Sequence, residues 1–460
     1  MPLTRAAVPA AMSLLLVPSQ ARADEDYRTP IPKESIQHAT DLTSLDKFAD
    51  MRLGMMVHWG PCVLTGGEIS WDMANRAKYE ASVPKFDPKH FNADAWTAIA
   101  GEMGARYFTL VTKHHDGFCL WDTRTTDFNI MNSPMKVDVV GAVAESCGKS
   151  GLVFGAYHSI MDIHESKWDR CYGAGNAMPG FPEQIPHITE LTKRQTLELI
   201  DRYHPAILWY DGQWLQGWDA GSAKVIYDAI KAKSPGCVVR LERQGGNDAD
   251  YHCMEANIGT YREAPWEVVT SVSYPTYSYH PPGNHFRPAA VWIEKLSQIV
   301  TGNGNMLLNF LPDENGVIND VQKDIARNIG AWMKVNGEAV YATRGGPWFN
   351  GSWGGSTRKN KDIYIHLTTN APESLTLPPC GRKLLSSASI SAGEATAKQN
   401  PDGSILITSP KSGRASVISV LKLSMDGLVK GMIPEKVRDS EPPASRSEEI
   451  KPAEERSPAQ

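Results

Sequence analysis

The sequence has 460 residues, 41% of them hydrophobic and 22% charged, with a formal net charge of −5 and a pI near 6.2. This is globular composition, with room for two or three domains and a large core. It gives no basis for nucleic acid or an anionic lipid surface as a partner.

The chain opens on a targeting pattern. Arg5 precedes the apolar stretch AAVPAAMSLLLV, and ARA is followed by the acidic DED. A basic residue, a short apolar region and an A-x-A-like site form a secretory leader, so residues 1–23 are expected to be cleaved off and the protein exported. The apolar run is too short for a membrane span. Residues 24–46 read as an N-terminal extension. The 7 cysteines show no C-x-x-C spacing, which argues against a zinc knuckle or a disulfide framework. Cys62, Cys119 and Cys147 lie in or beside apolar segments and are expected as buried thiols.

Residues 47–342 alternate short apolar runs with amphipathic, helix-like stretches such as AWTAIAGEMG and ITELTKRQTLELIDRYH. That alternation predicts βα units and a parallel sheet. The runs are LGMMVHWG, ARYFTLVTKHHDGF, GLVFGAYHS, AILWYDGQW, CVVRLER and NMLLNFLP. Each ends in polar or aromatic residues: His58, His114 with His115, Tyr157, Asp211, Arg243 and Asn309. In a (β/α)8 barrel the chemistry sits where the strands end, so the pattern predicts a (β/α)8-like barrel with its site at those ends. Six of the eight strands are placed in this way. Residues 343–425 change texture: DIYIHL, SLTLP, SILITS and ASVISVLKL are separated by turn residues and predict a small antiparallel β-sandwich. Residues 426–460 are rich in Pro, Glu, Lys, Ser and Arg and predict a disordered tail.

Asp211 ends an apolar strand between aromatic residues, with Trp209 and Tyr210 before it and Trp214 after. A charge in so dehydrated a place needs a compensating role: a cap, an Arg partner or catalysis. Asp before Gly is also a common turn pair. In TKHHDGF, adjacent histidines at a strand end can both turn into a site. The spacing is HH rather than the H-x-H of barrel metallohydrolases, which favours hydrogen bonding to a ligand over metal ligation. If Asp211 is a nucleophile, a second carboxylate is needed. Glu255 follows a polar loop, and Glu263, Glu267, Asp248 and Asp250 compete with it.

These motifs, in this order, resemble family 29 of the glycoside hydrolases, the α-L-fucosidases. The resemblance spans roughly residues 47–350 and is carried by MRLGMMVHWG, PKFDPKHFNADAWTAIAGEMGARYFTLVTKHHDGFCLWDT, GLVFGAYHS, AILWYDGQW, PWEVVTSVSY and GNGNMLLNFLPDENGVI. It implies a retaining exo-glycosidase acting on terminal α-L-fucosyl residues of oligosaccharides or glycoconjugates, with neither metal nor organic cofactor. By position it implies Asp211 as nucleophile and Glu255, in DADYHCME, as acid/base. His58, His114, His115 and Tyr157 match ligands of sugar hydroxyls, and Trp71 and Trp209 match aromatic walls. Arg243 matches an arginine beside the nucleophile, with Arg240 as the alternative one strand step away. Where many relatives carry Glu-Trp, this sequence has Ser70 before Trp71, and Glu68 in EISW takes the glutamate's place. The departures bear on substrate, fucose against L-galactose, more than on chemistry. A silent sugar-binding barrel and a metal-dependent barrel hydrolase are the competing classes.

Overall fold

Short β-branched and Leu/Met-rich runs separated by amphipathic helices build the first domain. The computed structural model describes residues 42–65, 76–166, 182–213, 215, 217–241, 249–255, 261–274, 276–280, 283–429 and 431–432. In chain order the elements are α1 (Leu42–Met51), β1 (Leu53–Val57), α2 (Arg76–Glu80), α3 (Ala93–Met103), β2 (Tyr107–Lys113), α4 (Val139–Ser150), β3 (Val153–Ser159), α5 (Ile163–Ser166), α6 (Ile185–Tyr203), β4 (Ile207–Asp211), α7 (Ala220–Lys233), β5 (Val238–Arg240), β6 (His252–Glu255) and β7 (Trp266–Ser271). A small hairpin, β8 (Ser273–Tyr274) with β9 (His285–Phe286), precedes α8 (Ala289–Thr301), β10 (Asn305–Phe310) and α9 (Asp320–Asn336).

Eight strands form one parallel sheet in the order β5-β4-β3-β2-β1-β10-β7-β6. This is a nearly closed barrel whose seam falls between β5 and β6. No helix separates β5 from β6, or β6 from β7, among the described residues. Helix ends follow the sequence: Asn92 and Asn319 cap α3 and α9 by accepting from Ala95 N and Gln322 N, and Gly104 ends α3 in the left-handed region.

Strand alternation sorts the side chains into two cores. Leu53, Met55, Val57, Phe108 and Leu110 face the surrounding helices. Met56, Tyr107, Val111, Tyr157, Ile207, Trp209, Val238, Tyr251, Val269 and Leu307 fill the barrel, and Leu45 and Phe48 of α1 close its floor. The barrel fold therefore begins at residue 42, earlier than the expected boundary at 47.

The second domain has two antiparallel sheets. One runs β11 (Arg344–Gly345), β12 (Gly354–Lys359), β13 (Asp362–Thr368), β18 (Ile418–Met425) and β15 (Leu384–Ser389). The other runs β14 (Ser374–Leu377), β17 (Ile405–Thr408) and β16 (Thr396–Gln399). Ile363, Ile365, Leu375, Leu377, Ile405, Ile407, Leu421 and Leu423 share one buried core. The domain docks on α8 and α9: Trp332 donates to Ile418 O at 3.2 Å, and Asn350 to Gln298 O at 2.9 Å.

Residues 426–429, expected to open an unstructured tail, are folded onto the β-domain. Val429 is fully buried and its N–H donates to Asn360 O at 2.8 Å. The expected leader and the chain from residue 433 lie outside the described residues. Among the described residues, no helix is long and apolar enough to cross a membrane.

Candidate active site

The inward-facing positions at the C-terminal ends of the strands converge on Asp211, the last residue of β4. Gly212 follows at φ 83°, and a Cβ there would stand 2.8 Å from Met161 N, so only glycine turns the chain away cleanly at this point. Tyr157, one strand over on β3, donates its hydroxyl to Asp211 Oδ2 at 2.8 Å. Arg240, at the end of β5, brings Nη1 to 3.9 Å from Asp211 Oδ1 and also donates to Tyr210 O. The arginine beside Asp211 is thus Arg240, on the inward parity of β5 with Val238. Arg243 lies outside the described residues, as do Glu68 and Trp71.

The histidines form the opposite wall. His58 accepts no proton easily: burial pulls its pKa down to about 4, against the Asn309 hydrogen bond and the Asp211 charge. Asn309 gives its Nδ2 hydrogens to Ser271 Oγ and Tyr277 O, so its Oδ1 is the acceptor facing His58 Nδ1 at 2.7 Å. The hydrogen is therefore assigned to Nδ1, and Nε2 is an acceptor. Ser159 donates to Met161 O and so accepts from His115 Nδ1 at 2.6 Å. His115 Nε2 then presents a lone pair 3.8 Å from Asp211 Oδ2. Two acceptors so placed are suited to a ligand hydroxyl between them. Burial also pulls His115 down to about 4, and it pulls His114 well below its ordinary value, helped by His115 and His58. His114 stacks on Tyr157 with ring centroids 5.4 Å apart. The wall is neutral at neutral pH, which suits a polar uncharged ligand.

Trp209 lies one layer below the pocket mouth, 5% exposed, with Tyr157 stacked on it at 5.0 Å. Glu255 ends β6 on the inward parity of Tyr251 and Cys253. Its pKa is raised by desolvation of the carboxyl and then by the Asp211 charge, against a Tyr277 hydrogen bond and Arg240. The residue as a whole is exposed, while its carboxyl interacts with Asp211, Tyr277 and Arg240. The competing carboxylates sit elsewhere. Glu263 is exposed before β7, and Asp250 is buried against Lys231 at 2.6 Å. Glu267 is the second residue of β7, at the barrel floor, bonded to Tyr107 and Trp209. Asp248 lies outside the described residues.

Tyr277 and Ser271 are site residues that the sequence reading did not single out. Tyr277 follows β7 in SYPTYSY, and an aromatic cluster just past a strand end was the available signal. His114, His115 and Asp211 also place one ligating atom each within 4.8 Å of one another, close enough to hold a cation.

The family model for alpha-L-fucosidase matches residues 17–338. The chain belongs to the alpha-L-fucosidase family. It is accordingly an α-L-fucosidase, a glycoside hydrolase. The α-L-fucosidase of Dictyostelium discoideum is 25% identical over 367 residues, 69% of this chain and 76% of that protein. Human (Homo sapiens) plasma α-L-fucosidase is 27% identical over 329 residues, 64% of this chain and 69% of that protein. The solved family 29 α-L-fucosidase of Bacteroides thetaiotaomicron superposes with a TM-score of 0.76 at 25% identity, covering 86% of this chain and 97% of that one. The Thermotoga maritima α-fucosidase in complex with fucose shares the fold at a TM-score of 0.67 and 24% identity, covering 82% of this chain and 96% of that one.

Proposed function

We propose that this α-L-fucosidase removes terminal α-L-fucosyl residues by double displacement, with Asp211 as nucleophile and Glu255 as acid/base. The observation that carries the reading is the pair itself: two carboxylates at the C-terminal ends of β4 and β6, close enough that the charge of one raises the pKa of the other. Tyr157 orients Asp211 for attack at the anomeric carbon, and Arg240 supplies positive charge beside it. Glu255, its pKa raised toward the acid form, delivers its proton to the leaving oxygen. It then takes one from water as the glycosyl ester is opened. The ester divides one hard step into two easier ones. His58 and His115, kept neutral with their Nδ1 hydrogens on Asn309 and Ser159, each turn an Nε2 acceptor to sugar hydroxyls, and neutral His114 completes that wall. Export through the leader at residues 1–23 is part of the same proposal, since it would place the enzyme among extracellular or periplasmic glycans.

The test is Asp211→Gly with azide. The variant should lose turnover while remaining folded, and azide should restore release of an activated aryl leaving group, giving the inverted β-fucosyl azide. Near-normal activity without azide would mean that the nucleophile lies elsewhere. The cation-sized cluster of His114, His115 and Asp211 supports a metal-dependent alternative. Under double displacement, activity survives EDTA, and its loss with recovery on adding a metal favours that alternative. A parallel screen of aryl α-L-fucoside against α-L-galactoside fixes the sugar.

A further inference from the structure

Below the pocket, the barrel interior holds a carboxylate that the proposed reaction does not use. Glu267 is fully buried at the start of β7. Its Oε1 accepts from Tyr107 Oη at 2.6 Å and its Oε2 from Trp209 Nε1 at 3.1 Å. Tyr107 reaches it across the barrel because β1 carries a glycine there: a Cβ on Gly54 would collide with the Tyr107 ring. Asn305, on the same layer, is tied to Phe48 O at 2.7 Å, so the floor around the carboxylate is anchored as well.

Trp209 links this floor to the chemistry. Its ring stacks on Tyr157 at 5.0 Å and 22°, and the guanidinium carbon of Arg240 lies 4.1 Å from its centroid. Tyr157 bonds Asp211 Oδ2 at 2.8 Å, and Arg240 Nη1 stands 3.9 Å from Asp211 Oδ1. Both groups that hold Asp211 are therefore seated on one indole. An indole can occupy its slot in two flipped orientations, and only one of them points Nε1 at Glu267. A bond to a buried carboxylate weights that orientation strongly.

We infer that Glu267 is a positioning residue for Asp211: from the barrel floor it fixes the Trp209 indole on which Tyr157 and Arg240 are seated. The inference rests on the reading of Asp211 as nucleophile. Burial pushes the Glu267 carboxyl up to about 7, against its two hydrogen bonds and the Arg240 charge. A carboxyl in so unfavourable a place fits a role in holding geometry better than one in packing.

The test compares Glu267→Met, which keeps volume but removes both acceptors, with Glu267→Gln, which keeps one acceptor for Trp209. Measured on 4-nitrophenyl α-L-fucoside, Glu267→Met should lower kcat about 10- to 100-fold, the scale expected for a misplaced reacting group. The inhibition constant of L-fucose should stay within about threefold, because the histidine wall is untouched. Glu267→Gln should recover most of the kcat. A folded Glu267→Met with kcat within about twofold of the parent overturns the inference, as does a fucose constant that rises in step with the loss of kcat. If Glu267→Met does not fold, a double-mutant cycle decides. Trp209→Phe, which lacks the N–H, must then lower kcat as expected of Glu267→Met, and the small loss that Glu267→Gln causes on the parent background must vanish on Trp209→Phe. Equal losses on both backgrounds overturn the inference. Asp211→Gly, run alongside, separates the two ideas. If it stays active the nucleophile is wrong; if it is inactive while Glu267→Met is normal, only the role of Glu267 falls.

Discussion

Tyr277 touches two of the groups on which the proposed chemistry depends. Its ring lies 5.3 Å from that of His58, and its side chain hydrogen-bonds Glu255, which lowers the Glu255 pKa against the rise imposed by desolvation and Asp211. Tyr277→Phe removes that lowering influence, so the pKa of Glu255 goes up. The acid form then persists to higher pH, and the alkaline limb of the kcat/KM profile should move upward. A limb that stays put or moves down separates Tyr277 from the proton donor. Glu255→Ala should abolish the limb. It should also cost about 10²–10⁴-fold on natural fucosides with poor leaving groups, and much less on dinitrophenyl fucoside. The strand-end positions of Asp211 and the histidines were legible in the sequence because each ends an apolar run with a polar group that packing does not call for, whereas the role of Tyr157 came only with the family resemblance. Tyr277 was not legible, because an aromatic residue past a strand end looks like any core residue. The choice between Arg240 and Arg243 turned on where β5 ends, and alternation with Val238 alone favours Arg240.

Six barrel strands announce themselves as apolar runs, whereas β6 and β7 do not. The strand HCME is four residues long, half-exposed, and lies at the seam, so it has a partner on one side only. WEVVTS carries a buried carboxylate near its start, which breaks the apolar signal at the point where the barrel floor needs Glu267. The β-domain shows the same division. DIYIHL, SLTL, ILIT and the run ending in SVLKL hold its core, while LLSSAS and TAKQ are mostly exposed edge strands with no period to read. Composition also hid the fold of residues 426–429. Leu428 is exposed but Val429 is buried, and Asp426 N donates to Lys383 O at 2.9 Å. Val429→Ala should therefore cost about 2 kcal/mol, the transfer loss of two buried methyl groups plus a small cavity. Truncation after Met425 should cost more than truncation after Met432. The check is thermal melting of the three proteins, and equal melting temperatures would show that residues 426–432 add nothing.

At the scale of the whole molecule, buried titrating groups pull in opposite directions with pH. His58, His115 and His366 are each held at about 4 by burial, against roughly 6.5 in an unfolded chain. Their folded pKa is depressed, so the stability they contribute is present above about 6.5 and is lost as pH falls through about 4. Glu267 and Asp116 are pushed up by burial, to about 7 and about 6. Their contribution is present below the unfolded carboxylate value and is lost as pH rises through those folded values. The two sets act over nearly the same window, roughly pH 4 to 7, with opposite slopes, so they offset one another, and the acid flank is the histidine share of that sum. His366 allows that flank to be tested away from the pocket. It is fully buried on β13 where the domains meet, 3.2 Å from Ser297 Oγ of α8 and 3.1 Å from Thr357 Oγ1 of β12. Thr357 donates to Ala339 O, so His366 Nε2 must donate to Thr357, and Nδ1 is left to accept from Ser297. Protonation at Nδ1 places two donors face to face and a charge in the interface. His366→Gln can keep a donor toward Thr357 but cannot be charged. Between pH 6.5 and 4 its stability should fall less steeply than that of the parent, with a difference on the order of 3 kcal/mol accumulated across that window. Melting temperatures or denaturant midpoints across the pH series read this directly. Parallel curves for the two proteins would mean that the acid flank is carried by the pocket histidines alone, and that the junction between barrel and β-domain does not sense pH.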